Sequence, residues 1–379
     1  MAASYQRRRS YGSGSVYRTA DGRWRGALIL IDPATGKRTR RTVSGPTAAD
    51  TRRNLDALRA AGSPSTMMRT ADWLTAWLPT TRSRITPSTF RGYEAVTRAI
   101  SVHLGDVPLG NLRPSDVERM TGAILAAGRT ARTATMARKV LRLALRHAIR
   151  DGLVTRNVAA EARPPRVEPF AARALTADEA RRLIAATADD ELGPLWALLL
   201  ATGLRQGEAL GLAWSDIDVA AGTLTVRRSL GRGWDGSPTL GPPKSERSRR
   251  TIALPSVACD ALERQRPRQD ADREAAGSAW QDRDGLVFAD AIGRPRRSRD
   301  ITPALRVALD RAELPRVRCH DLRHTAATLQ LAAGVPLTTI SRTLGHSSLA
   351  ITADIYAAVT PDLRRDAADA MDRALGANR

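Results

Sequence analysis

Histidine and tyrosine are scarce in this 379-residue chain, so where they fall is informative. Three of the five histidines, His320, His324 and His346, lie within 27 residues, and Tyr356 is the one tyrosine after Tyr93. Tyr356 follows His346 by ten residues, in a segment that begins Leu344-Gly-His-Ser-Ser. Ser347 or Ser348 is placed to cap a helix over 349–359 that carries the tyrosine. A phenol, with a pKa of about 10, becomes a nucleophile at neutral pH once a neighbour takes its proton. Cys319-His-Asp-Leu-Arg-His-Thr sets His320 and Arg323 three apart, which makes them neighbours on one face of a helix. In Thr202-Gly-Leu-Arg-Gln-Gly-Glu-Ala-Leu, Arg205 stands at an expected helix start, with Glu208 one turn on. Two planar guanidinium forks suit the non-bridging oxygens of a phosphate. Each feature alone is ordinary, since a lone helical tyrosine is usually packing and a lone arginine usually surface charge. Their combination carries the argument.

Cys319, His320, His324 and His346 also invite a metal reading. No second cysteine stands at a zinc-type spacing, and arginines crowd a site where carboxylates would be expected. No metal is therefore expected, and Asp321 and Glu208 read as groups that orient the arginines. The lysines add a further clue. Lys37, Lys139 and Lys244 are the whole set, against 57 arginines, so a retained lysine is a candidate for a proton donor with a tunable pKa, which arginine is not.

The rest of the chain must position these groups and hold their substrate. A net charge of +21 and a pI near 11.3 point to a polyanion, nucleic acid above all. The longest apolar run, around 195–204, is far short of a membrane span, and the N-terminus lacks the apolar stretch of a signal peptide. Cys259 and Cys319 do not make a disulfide framework, so a reducing cytoplasm is expected. Hydrophobic residues at 42% and clear helical periodicity exclude a chain that is disordered throughout.

Residues 1–62 carry 13 Lys and Arg against four Asp. Strands are expected over 15–19, 23–31 and 37–43, with Gly, Asp and Pro turns between them, then a helix over 47–61 capped by Thr47. A small basic sheet of this kind, with Trp24 among Arg23, Arg25, Arg38, Arg40 and Arg41, fits a DNA major groove. After a short Gly-Ser-Pro linker, helices are expected over 71–78, 87–100, 114–127 and 130–151. The last of these is amphipathic, with a basic face that includes Arg132, Arg138, Lys139, Arg142 and Arg146. Arg163-Pro-Pro-Arg-Val-Glu-Pro reads as an extended linker. Helices over 176–188, 192–202 and 206–212, strands over 223–229 and 250–254, and further helices to the C-terminus follow. The polar stretch 266–284 reads as a loop insertion.

In order and spacing, Ala-Thr-Gly-Leu-Arg205-Gln-Gly-Glu-Ala-Leu-Gly-Leu, His320-Asp-Leu-Arg323-His-Thr, Leu-Gly-His346 and Tyr356 resemble the tyrosine recombinases, specifically phage and mobile-element integrases of the lambda-like kind. The resemblance implies a multidomain fold. An N-terminal arm-site DNA-binding domain (1–62) is a three-stranded sheet plus a helix, and an all-α core-site domain (66–160) follows. An interdomain linker (161–173) then leads to a mainly α catalytic domain (174–379) with a small β-sheet or hairpin and a C-terminal docking helix. It also implies a catalytic set of Arg205, Lys244, His320, Arg323, His346 and Tyr356, with Lys244 on a hairpin, and no cofactor. Tyr356 would cut DNA and leave a 3′-phosphotyrosyl bond and a 5′-hydroxyl, which a second strand reseals. Double-stranded DNA at core and arm sites, a homotetramer on that DNA, and an excisionase or host DNA-bending protein are the partners implied, and the nucleoid is the place of work. The alternatives are a catalytically silent DNA-binding protein of the same fold and a cellular resolvase of chromosome dimers.

Overall fold

A computed structural model describes residues 15–31, 38–61, 68–166, 173–243, 248–345, 371–372 and 375–376. The chain divides into two units, Met1–Pro169 and Phe170–Arg379.

In the first unit, β1 (Ser15–Arg18), β2 (Trp24–Ile31) and β3 (Arg38–Gly45) form an antiparallel meander. The Asp-Gly turn closes β1 onto β2, the Gly22 N–H donating to the Thr19 carbonyl at 2.9 Å. Helix α1 (Ala48–Ala61) starts where the Thr47 hydroxyl accepts the Asp50 N–H at 3.1 Å, and it packs Thr51 and Leu55 against the sheet. Because side chains alternate along a strand, register sorts the basic residues. Gly26 opposes Val43 and Leu28 opposes Arg41 on the face that carries α1, and Trp24 opposite Gly45 belongs to that face too. Arg25 opposite Ser44 and Ile29 opposite Arg40 form the other face, and Ile31 pairs with Arg38 where β3 begins.

The same unit holds α2 (Thr70–Thr80), α3 (Pro87–Leu104), α4 (Pro114–Ala126), α5 (Ala131–Arg150) and the short α6 (Val158–Glu161). Thr86 and Thr130 cap α3 and α5, and proline occupies the first position of α3 and α4, where its missing N–H costs nothing. Along α5, Ala134, Ala137, Val140, Leu141, Ala144, Leu145 and Ala148 are buried, a 3.6-residue stripe that closes a core with Trp73, Trp77 and Ile100.

The second unit contains α7 (Ala177–Ala186), α8 (Gly193–Thr202), α9 (Gln206–Leu210), β4 (Ile217–Asp218), β5 (Thr223–Val226), β6 (Ser229–Arg232), β7 (Pro238–Gly241) and β8 (Arg250–Ala253). It continues with α10 (Ser256–Ala276), α11 (Ser298–Arg311), α12 (Cys319–Ala332) and α13 (Leu337–Leu344). Strands β4, β5 and β8 make one antiparallel sheet in that order, and β6 pairs with β7 as a hairpin. Helix α8 is apolar all round and buried, packed by α10 and α12. One expected strand, 223–229, ends at Val226, because Arg227 and Arg228 turn to the buried Asp216 carboxylate at 3.5 and 3.3 Å.

The loop expected over 266–284 is corrected by the structure, where α10 runs without a break to Ala276 and a 3₁₀ turn follows at Gly277–Ala279. Its buried stripe is Ala258, Ala261, Leu262, Gln265 and Gln269, so two glutamines stand where apolar residues would have signalled a helix. Their amides donate to the Val287 and Leu286 carbonyls at 3.0 and 2.7 Å, and the Gln269 side chain accepts the Trp214 indole N–H at 2.6 Å. The expected helix over 349–359 lies outside the described residues, as does the expected C-terminal docking helix apart from residues 371–372 and 375–376.

Candidate active site

Of the six residues expected to do chemistry, Arg205, His320 and Arg323 are described; Lys244, His346 and Tyr356 lie outside the described residues. The three described residues come from two elements, Arg205 from the start of α9 and His320 and Arg323 from α12, that the packing of α8 brings together. Gly203 ends α8 in the left-handed conformation (φ +65°), and a Cβ there would stand 2.3 Å from the Leu344 side chain of α13. That close approach puts the start of α9, the body of α12 and the end of α13 around one point.

Arg205 is the N-cap of α9. Its backbone N–H and guanidinium both donate to the Glu208 carboxylate, at 3.1 and 2.6 Å. The guanidinium also donates to the Gly345 carbonyl at 3.0 Å, and its side chain keeps 31% exposure. Arg323, three residues into α12 from His320, is almost fully buried. It donates to the Gly203 carbonyl at 2.8 Å and the Leu344 carbonyl at 2.6 Å, which are the C-terminal ends of α8 and α13. Burial, and then the charge of Arg205, pull its pKa down to about 9.

A third guanidinium completes the cluster, one that the residue pattern alone does not single out. Arg250, first residue of β8 and 7% exposed, donates to Glu208 at 2.9 Å, to the Thr343 carbonyl at 2.5 Å and to the Ser248 carbonyl at 2.9 Å. The available signal was its position two residues before the buried Ile252, on the inward face of the same strand. Glu208 thus sits between Arg205 and Arg250. Burial works to raise its pKa, but hydrogen bonds and charge from the two arginines prevail and hold it below the ordinary value. Two of the three guanidiniums share one carboxylate, and Arg323 is held by neutral carbonyls alone among the described residues, so the cluster retains positive charge.

His320 occupies the first turn of α12, partly open to solvent, with the His324 ring edge-on at a centroid distance of 5.0 Å. Desolvation, then the like charges of His324 and Arg323, lower its pKa, so its imidazole is neutral at pH 7 and able to take a proton. Asp321 holds the turn, accepting the Arg318 backbone N–H at 2.8 Å and its guanidinium at 2.7 and 2.9 Å. Cys319 is buried and its thiol is pushed up to about 12, which makes it a core residue and not a thiolate.

The residues expected to touch DNA from the first unit do not share one surface. Arg25 and Arg40 are exposed on the sheet face opposite α1, whereas Trp24 and Arg41 belong to the helix-bearing face and Arg23 lies in the turn; Arg38 pairs with Ile31 at the start of β3. On α5, Lys139 and Arg142 are exposed. Arg138 instead donates to the Ala160 and Ala162 carbonyls at 3.1 and 3.0 Å, tying α6 and the residue after it to α5, so its guanidinium has a structural job.

Comparison with known proteins agrees on one family. The phage integrase family matches residues 173–362. An integrase of Saccharopolyspora erythraea is 27% identical over 95% of this chain and 96% of its own. The tyrosine recombinase XerC of Mesorhizobium japonicum is 33% identical over 73% of this chain and 86% of its own. Among solved structures, the Tn1549 transposon integrase in complex with a circular intermediate DNA has a TM-score of 0.68 at 21% identity, covering 80% of this chain and 99% of that one. A lambda integrase tetramer bound to a Holliday junction has a TM-score of 0.58 at 23% identity, covering 92% and 96%. No helix among the described residues is long and apolar enough to cross a membrane.

Proposed function

The chain belongs to the phage integrase family of tyrosine recombinases, and from that footing we propose that it integrates and excises a mobile DNA element through a phosphotyrosyl intermediate. It is a site-specific DNA recombinase. The observation that carries the proposal is the positive cluster of Arg205 and Arg323 beside a neutral His320. A phosphodiester repels nucleophiles, and its transition state gathers charge on the non-bridging oxygens, which fixed guanidiniums and the His346 imidazole stabilise. His320 takes the phenolic proton as Tyr356 attacks phosphorus. The bond to the 5′ oxygen breaks, and Lys244 supplies the proton that oxygen needs to leave. The product is a 3′-phosphotyrosyl bond and a free 5′-hydroxyl. Attack by a partner strand's 5′-hydroxyl reverses the same steps and reseals DNA without ATP.

Two duplexes require four cleavages, so four copies act together on DNA, as in the lambda integrase tetramer on its Holliday junction. The exposed Arg25 and Arg40 give the first unit a face for arm-site phosphates, and Lys139 and Arg142 give α5 one for the core site. Integration is favoured over chromosome-dimer resolution because the match to the integrase extends over 95% of the chain, against 73% for XerC. The work is done at the bacterial nucleoid, with an excisionase or a host DNA-bending protein setting direction.

The test is a nicked suicide duplex carrying the crossover sequence at the ends of the encoding element, offered to wild type and to Tyr356→Phe. A protein–DNA adduct that survives denaturation, formed by wild type and not by the variant, is the expected result. Wild type that shifts the duplex in a gel without ever attaching is a silent DNA-binding protein, and overturns the proposal.

A further inference from the structure

Three successive carbonyls at the end of α13 each accept a hydrogen bond from a different arginine. Thr343 receives Arg250 at 2.5 Å, Leu344 receives Arg323 at 2.6 Å and Gly345 receives Arg205 at 3.0 Å. The last carbonyl of the three immediately precedes His346 in the chain, and Gly345 turns there in the left-handed conformation (φ +67°). A helix C-terminus leaves its final carbonyls without intrahelical partners, and its dipole favours cations. Here those orphan acceptors hold three guanidiniums from three other elements: α9, β8 and α12.

Arg205 and Arg323 are already assigned to the phosphate. Arg250 is not, and its environment is unsuited to contacting one, since its side chain is 7% exposed and all three of its guanidinium nitrogens have acceptors within the protein. What it joins is specific. Through Glu208 it reaches the carboxylate that orients Arg205. Through Thr343 it reaches the end of α13, and through the Ser248 carbonyl it reaches the segment that follows Lys244 in sequence. Ser248 itself, 1% exposed, brings its hydroxyl to 3.4 Å from Arg205.

We propose that Arg250 is a positioning residue for cleavage: it locks Glu208, and with it Arg205, against the C-terminus of α13, so that the charge offered to the scissile phosphate is aimed before DNA arrives. The assignment rests on the recombinase reading above. It sets Arg250 apart from a residue that merely stabilises the fold, because its loss misdirects one charge and leaves the remaining chemistry intact. A lysine in its place keeps the charge, but a single ammonium cannot serve a carboxylate and two carbonyls in the directions a planar fork does.

The experiment compares wild type, Arg250→Lys and Arg205→Lys on two nicked suicide duplexes of the same crossover sequence, one natural and one with a methylphosphonate at the scissile position. The methyl group replaces a non-bridging oxygen and removes the charge that Arg205 is there to meet. On natural DNA, Arg250→Lys is expected to bind the duplex with wild-type affinity and form adduct about 100-fold more slowly, the scale of loss for a misplaced catalytic charge. On the methylphosphonate duplex its deficit relative to wild type should shrink to less than about 10-fold, in parallel with Arg205→Lys. An equal deficit on both duplexes would show a general structural defect and overturn the positioning role, as would a wild-type rate on natural DNA. Wild type that forms no adduct on natural DNA removes the recombinase reading and this assignment with it, whereas either result above overturns the assignment alone. Circular dichroism melts of Arg250→Lys and Arg205→Lys separate slow chemistry from an unfolded chain, and a variant unfolded at the assay temperature counts against positioning.

Discussion

Glu208 carries the heaviest electrostatic duty in the cluster, and Glu208→Gln should show it. The carboxylate is 2% exposed, with Arg250 at 2.9 Å, itself 7% exposed, and Arg205 at 2.6 Å, 31% exposed. Removing one partner of a buried pair strands the other charge, at a cost of about 3–5 kcal/mol. The lower end applies, because Arg205 retains solvent and glutamine can still accept one hydrogen bond, so about 3 kcal/mol is expected. With a urea dependence of about 2 kcal/mol per molar, the unfolding midpoint of the second unit should fall by about 1.5 M. Urea titration of the full chain with pulsed hydrogen exchange, read on the peptide that spans α9, follows that unit apart from the first.

The pH dependence supplies a second, independent check. Glu208 has a folded pKa below its ordinary 4.5, since the arginines outweigh burial. The folded state therefore binds fewer protons than the unfolded chain in the interval between the two values. Its stabilisation is complete above the unfolded pKa and is lost as pH falls through the folded one. The gap between wild type and Glu208→Gln should be widest near neutrality and should narrow as pH falls below the unfolded pKa. Equal midpoints at pH 7, or a gap that grows on acidification, would refute the reasoning.

Two further outcomes follow from the same geometry. Because His320 is neutral at pH 7, the rate of adduct formation should stay level through neutrality and fall on acidification at a midpoint below 6.5; His320→Gln should remove that acid limb, which a pH–rate profile on the suicide duplex measures. Joint replacement of Arg25 and Arg40 by alanine should weaken arm-site binding and reduce the slope of log affinity against log salt by about 0.9 for each phosphate no longer neutralised, while Arg138→Ala should leave that slope unchanged and lower the melting temperature instead.

Which of these features were readable in the sequence follows from physical type. Arg205 and Glu208 announced themselves through a glycine and a helix start, and His320 and Arg323 through a three-residue step on a helix, because local periodicity fixes such neighbours within one element. Arg250 did not, since it is one of three arginines in Lys244-Ser-Glu-Arg-Ser-Arg-Arg, and its two-residue step to Ile252 is a weak local mark for the buried one. Its burial depends on the pairing of β8 with β5, where Arg250 opposes Val226 and Ile252 opposes Leu224, a long-range register. Arg138 was hidden in the same way, in a basic run whose other members are exposed, until α6 supplied carbonyls for it. The second half of helix α10, from Arg266 to Ala276, escaped notice for the opposite reason, as Gln265 and Gln269 hydrogen-bond in the core and imitate a solvated loop.

The choice of partners for the arginines is itself a functional argument. Burying a guanidinium costs several kcal/mol, and a carboxylate at each one would be the simplest compensation. It would also cancel the field a phosphate needs. For Arg323 the chain instead offers the carbonyl ends of α8 and α13, dipoles that favour the cation by about 0.3–2 kcal/mol each without neutralising it. The lowered pKa of Arg323 records the uncompensated remainder, and an anion placed between it and Arg205 would relieve it. Glu208, shared by Arg205 and Arg250, fixes direction at the cost of one charge while three guanidiniums remain. A site built for stability alone would pair its charges one to one. This one leaves positive charge unpaired and rigidly aimed, which stabilises a transition state that concentrates negative charge on oxygen more than it stabilises the empty protein.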